Sequence, residues 1–207
     1  MKKIIMGIAA VISVLSLVAC GNPPPKPDMY IEKAELSQKE EDIAKLLGDN
    51  SDQLIYDFRL DDTVQSVQIN TYRLTDGEWR MISGGGGQQF SDEKGRLALD
   101  FENIAEGLRV ALQSEHNSGS TKYSSEPAEE FAGMGRATSM LSDLTEITYE
   151  KEIPLVVQIS TAQNSINSYN VDYFFSPDEY QKHGYEHVYA ITVLFSQKTV
   201  GELDTEN

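Results

Sequence analysis

Two histidines four residues apart, His183 and His187 in the stretch HGYEH, have the spacing at which one helix turns both imidazoles toward one metal ion. Gly184 between them and the strand-like run that begins near Val188 argue against a helix there. No third ligand can be named beyond their neighbour Glu186, so surface or capping histidines are the simpler reading. Asp57, Asp61 and Asp62 could offer oxygen ligands to calcium, yet the D-x-D-x-D-G loop pattern is missing. In a chain with 33 acids, small acidic clusters arise by chance. Gly84 to Gly87 form a run of four glycines, but a phosphate cradle also needs a lysine and a following helix. Gln88-Gln89-Phe90 supplies neither, so the run reads as a flexible connection or a bulge. No G-x-S-x-G elbow, P-loop or G-x-G-x-x-G is present. A carboxylate pair for glycoside hydrolysis, about 5 to 9.5 Å apart, cannot be picked out among so many acids. Tyr72, Trp79, Tyr123, Tyr169 and Tyr185 are the aromatics open to a sugar, although alternation places Trp79 in a core. Thus no catalytic residue and no cofactor is assigned from sequence.

One further side chain has a chemistry that its position explains. Cys20 is the only cysteine, so it has no internal disulfide partner. It follows Met1-Lys2-Lys3 and then sixteen uncharged residues, Ile4 to Ala19. As a helix that run would span about 24 Å, short of the ~30 Å hydrocarbon core, which fits a secretion signal better than a permanent span. Leu17-Val18-Ala19-Cys20 resembles the lipobox of bacterial lipoproteins. The resemblance implies a diacylglyceryl group on the Cys20 thiol and cleavage between Ala19 and Cys20. A sulfur nucleophile carries the lipid, and two acyl chains anchor stably where one is marginal. Gly21 is not the aspartate that marks inner-membrane retention in Gram-negative lipoproteins, and the layout is similar to that of small Gram-positive ones. Residues 1–19 are thus expected to be a signal peptide, and residues 20–30 a lipidated cysteine with a proline-rich tether (GNPPPKPD).

The elements that must position any site follow from the pattern of the remaining chain. Ser37-Gln38-Lys39-Glu40 matches a capping box, acids fill the first turn and Gly48 follows Leu47, which predicts a helix over 37–47. Its Ile43, Leu46 and Leu47 share a face expected to dock on the domain. From Leu54 the period becomes two: Tyr56, Phe58 and Leu60; Val67 and Ile69; Trp79 and Met81 after a Thr75-Asp76-Gly77 turn. The pattern recurs at Leu97, Leu99 and Phe101, and at Leu108, Val110 and Leu112. It returns at Ile153, Leu155, Val157 and Ile159, and at Tyr189, Ile191, Val193 and Phe195. About eight strands with one apolar face each predict a mainly β fold. Residues 31–207 are read as a single antiparallel β-sandwich, Ig-like or jelly-roll-like, with a small closed barrel as competitor. Residues 113–143 are rich in Ser, Gly, Glu and Thr and read as a long polar loop. Tyr173, Phe174 and Phe175 are consecutive and cannot all face one core, which points to a third layer or contact surface.

Composition narrows the function classes. The net charge of −16 becomes −18 once residues 1–19, carrying Lys2 and Lys3 and no acid, are removed. Such a chain repels nucleic acid and anionic lipid surfaces and leaves protein, carbohydrate or cation ligands as partners. The leading expectation is an envelope lipoprotein held on the extracytoplasmic face of the cell membrane by lipid on Cys20, acting as a non-catalytic binding module. A hydrolase of wall polymer or carbohydrate, and a solute-binding component of a transporter, are the alternatives.

Overall fold

The computed structural model describes residues 25–47, 53–84, 87–123, 131, 133–167 and 169–203. In chain order the first half comprises β1 (Tyr30–Lys33), α1 (Gln38–Leu47), β2 (Gln53–Arg59), β3 (Ser66–Thr75), β4 (Glu78–Ser83), β5 (Gln88–Gln89), β6 (Lys94–Asp100) and β7 (Leu108–Ser114). The second half comprises β8 (Ser118–Tyr123), β9 (Gly135–Met140), β10 (Thr145–Glu146), β11 (Ile153–Thr161), a 3-10 turn (Val171–Phe175), α2 (Asp178–His183), β12 (His187–Ser196) and α3 (Val200–Leu203). The strands form two antiparallel sheets, a β-sandwich without barrel closure. One sheet runs β10-β1-β2-β6-β7-β8, the other β4-β3-β12-β11-β9, with β5 also paired to β3.

The inward positions are those the alternation marks. Leu54, Tyr56 and Phe58 on β2, Leu97 and Leu99 on β6, and Leu108, Val110 and Leu112 on β7 face Val67, Ile69, Ile191, Val193 and Phe195 of the other sheet. Each such side chain contributes about 1.5–3 kcal/mol by leaving water. Phe58 packs against Phe90 and Phe195 with ring centroids 5.2 and 5.3 Å apart. Gly95 makes room for this trio, because a Cβ there would overlap the Phe58 ring. Gln158 spans the layers at one end. Its Oε1 accepts from the Ile104 N–H at 3.0 Å, and its amide donates to Thr138 Oγ1 at 3.2 Å.

Four expectations are corrected by the structure. First, β11 does not keep Ile153, Leu155, Val157 and Ile159 on one face. Its register with β12 jumps between Pro154 and Val156, a bulge. Ile153, Leu155 and Val156 therefore lie in the core between the sheets, while Val157 and Ile159 turn outward. Second, the interval 113–143 is not one long loop, because β8 and β9 lie within it as edge strands (residues 124–130 and 132 are outside the described residues). An edge strand with polar side chains needs no apolar alternation, so the pattern had nothing to display. Third, α1 forms where the capping box puts it, but Ile43 and Leu46 are 50% and 85% exposed. The helix is instead held through Glu40. Fourth, Met81 is not a core residue but is 45% exposed. Ahead of β1 the Lys26 ammonium donates to Glu32 and sits 4.8 Å over the Tyr30 ring.

Both faces of the second sheet are covered. The 3-10 turn and α2 lie across its outer face as a third layer, with Val157, Ile159, Phe174, Tyr180, Val188 and Ala190 buried beneath them. In the turn, Val171 and Phe174 point inward at i, i+3, while Tyr173 and Phe175 stay exposed. Three consecutive aromatics thus split between a buried layer and a surface.

Candidate functional site

The first sheet, by contrast, leaves much of its outer face open. The outward positions of β1, β2, β6 and β7 align in cross-strand rows, one of them Glu32–Asp57–Arg96–Gln113 and the next Tyr30–Arg59–Lys94. In the first row the Arg96 guanidinium clasps Asp57 with two bonds, Nε–Oδ1 at 2.7 Å and Nη2–Oδ2 at 3.1 Å, and reaches Glu40 on α1 at 2.8 Å. Such forked pairs are the strong members of their class. Glu40 in turn closes the capping box, accepting from the Ser37 hydroxyl at 2.6 Å and the Ser37 N–H at 2.8 Å. The Ser37 bonds, then Arg96, hold the Glu40 carboxyl down at about 2.

Above these rows lies an open depression of about 940 Å³, walled by the β5–β6 connection and the β7–β8 turn. Arg59 and Lys94 stand side by side on its floor as exposed cations, and neither takes part in an ion pair among the described residues. Glu93 and Glu115 are on its rim. At the edge, Asp92 Oδ1 lies 2.7 Å from His116 Nδ1, and Asp92 Oδ2 accepts the His116 N–H at 3.1 Å. Asp92 is pulled below the ordinary carboxylate value by the Ser114 hydroxyl and by His116. His116 is raised by its bond to Asp92. This pair orients an imidazole, but Ser114 bonds the carboxylate rather than the ring, so the arrangement clamps two loops together and does not activate a hydroxyl. What the depression can do is hold a polar segment carrying both charge signs.

The residues singled out from the sequence are distributed elsewhere. His183 ends α2, Gly184 caps it in the left-handed conformation (φ 62°), and His187 opens β12. His183 stacks on Tyr185 at 5.5 Å, and His187 meets Phe131 edge-on at 4.9 Å. The two imidazoles serve different packings, and no group of three or more metal-ligating side chains occurs among the described residues. Asp57, Asp61 and Asp62 do not converge either. Asp57 belongs to Arg96, while Asp61 accepts from Thr63 and from the Tyr149 hydroxyl. Gly84 carries φ 124° and passes so close to Asn70 that a Cβ would meet its backbone at 2.9 Å. The glycine run thus links β4 and β5, both of which pair with β3.

Four of the five aromatics named from the sequence gather in the third layer; Tyr123 instead packs at the first core from β8. Trp79 stacks on Phe174 at 5.1 Å and donates its indole N–H to the Phe174 carbonyl at 2.7 Å. Tyr169 meets Tyr173 at 4.9 Å and Tyr180 at 5.1 Å. Cys20 and the leader lie outside the described residues. Sequence reading missed Arg59, Lys94, Arg96, Asp92 and His116. The outward parity of the first three was legible from their strands, but which strands are neighbours was not.

No protein-family model matches the chain, and no curated protein or solved structure matches it significantly.

Proposed function

We propose that the chain is a cell-envelope lipoprotein, fixed by diacylglyceryl on Cys20 to the extracytoplasmic face of the membrane, and that it works by binding rather than by catalysis. The observation that carries this reading is the chain's lone cysteine, placed at the end of a short apolar leader in the sequence Leu17-Val18-Ala19-Cys20. The start of the fold supports it. The first strand opens at Tyr30, so nine residues separate Cys20 from the sandwich, a reach of about 30 Å when fully extended. So short a leash suits a module that meets its partner at the membrane surface. The depression supports the binding half of the proposal, because Arg59 and Lys94 stand exposed on its floor and take part in no ion pair among the described residues.

Cys20→Ser tests the anchor. Metabolic labelling with a fatty acid and membrane fractionation should show label and membrane retention in the parent and neither in the variant, with the same thermal melt. Equal labelling of both proteins would refute the lipid site.

A further inference from the structure

Three features meet on the outer face of the first sheet. The first is a set of unspent charges. Arg59 and Lys94 are register partners on β2 and β6, and like charges directly opposite repel. Both are exposed, and neither takes part in a side-chain hydrogen bond or ion pair among the described residues. Glu93 and Glu115 on the rim are in the same condition. The neighbouring charges are paired off, Asp57 and Glu40 with Arg96, Glu32 with Lys26, and Asp92 with His116. What is left is a floor of two cations under a rim of two carboxylates. The second feature is α1. Glu40 reaches the outward Arg96, so the helix lies on this same face. Leu46, about 120° round the helix axis from Glu40, turns away from the sheet and is 85% exposed, with Ile43 beside it at 50%. The third is the tether. Lys26 bonds Glu32 and lies over the Tyr30 ring, and both of those residues hold outward positions, Tyr30 in the row of Arg59 and Lys94.

The tether and the charges together select an occupant. With lipid on Cys20, the bilayer begins nine residues from Tyr30, about 30 Å of extended chain, and so lies within reach of the Arg59–Lys94 row. Tethering at that range keeps the bilayer at high effective concentration. Charge then selects the headgroup. A chain of net charge −16 is repelled by an anionic bilayer. A zwitterionic bilayer carries no net charge and offers phosphate to the floor and ammonium to the rim. Phosphoethanolamine keeps ammonium N–H donors for the two carboxylates, and choline has none. We propose that this face rests on the membrane, with Arg59 and Lys94 on the phosphate of a phosphoethanolamine headgroup and Glu93 and Glu115 on its ammonium. Leu46 and Ile43 then enter the boundary between headgroups and acyl chains. The proposal rests on the lipid-anchor reading and names the side of the domain that the anchor draws down.

Trp79 is the only tryptophan in the chain and lies on the second sheet, so it serves as a reference on the far side. The full chain, extracted in detergent, is reconstituted as parent and as Leu46→Trp into vesicles with brominated acyl chains. These are phosphatidylcholine alone, or phosphatidylcholine mixed equally with phosphatidylethanolamine or with phosphatidylglycerol. Emission added by Leu46→Trp should be quenched by about half in the ethanolamine vesicles and about threefold less in the other two. Trp79 of the parent should be quenched in none. Adding Arg59→Gln and Lys94→Gln, both at exposed positions, should remove the quenching with the melt unchanged. Arg80→Gln and Lys182→Gln, the same charge loss on β4 and α2, should leave it in place. Glu93→Gln with Glu115→Gln should erase the preference for ethanolamine over choline. Quenching that survives Arg59→Gln and Lys94→Gln would overturn the proposal, as would quenching of Trp79 equal to that at position 46. Stronger quenching with phosphatidylglycerol than with phosphatidylethanolamine would do the same. So would soluble glycerophosphoethanolamine that shifts the His116 ring protons while no vesicle quenches, which would make the depression a site for a free small molecule. Intact mass of the same preparation reads the lipid on Cys20. Lipid present without quenching sinks this face alone, and quenching with a bare thiol sinks the anchor alone.

Discussion

His116 and Asp92 tie the β7–β8 turn to the β5–β6 connection, and both side chains titrate away from their ordinary values in the directions a mutual bond requires. His116 is raised, so its share of the clamp is complete below the ordinary histidine value and is lost as pH rises through the folded value. Asp92 is lowered, so its share is present above the ordinary carboxylate value and is lost as pH falls through the folded one. The clamp therefore holds best between these limits. A proton titration of the His116 ring should give a value above 6.5, and Asp92→Asn should return it to the ordinary range; an unmoved value would break the assignment. Gly95 carries a different kind of necessity. Gly95→Ala forces a methyl into the Phe58 and Phe90 rings and should cost about 1–3 kcal/mol in a urea melt, although its sequence neighbourhood looks like any exposed strand start.

Helix α1 shows how an element can obey its local code and still sit where the pattern did not place it. Ser37 and Glu40 cap it as the sequence predicts, but its apolar residues Ile43 and Leu46 face water and Arg96 supplies the attachment. Glu40→Gln should leave the sandwich melt nearly unchanged while amide protection in α1 falls sharply, and loss of global stability instead would place the helix in the core. Because the Glu40 value is depressed, the same protection should persist at neutral pH and decline from the ordinary carboxylate range down toward about 2. Most of the core was legible because Leu54, Tyr56 and Phe58, or Leu97 and Leu99, alternate in register with one buried face. β11 was legible as a strand but not as a bulged one, since Val156 and Val157 are both apolar and parity alone cannot say which faces which layer. The depression was illegible for another reason: Asp57, Arg96 and His116 come together through strand order, which no local pattern encodes.

At the level of the whole molecule, the core between the two sheets and the third layer share one central strand pair, β11 and β12. Ile191 is fully buried between the sheets on β12, so Ile191→Asp places an unpaired charge where nothing can solvate it. It should cost about 4 kcal/mol or more and abolish a cooperative urea transition, and a melt close to the parent's would refute the strand assignment. The leash, the depression and α1 all hang on this scaffold, whose residues past the tether include no thiol and hence no covalent cross-link. Covering both faces of β11 and β12 also divides the molecule's capacity to vary. A substitution library should tolerate almost nothing polar at the apolar positions of that strand pair, while the outward rows of the first sheet accept many residue types. Sequence drift is thereby steered toward the open sheet, leaving that face free to be respecialised while the architecture stays fixed.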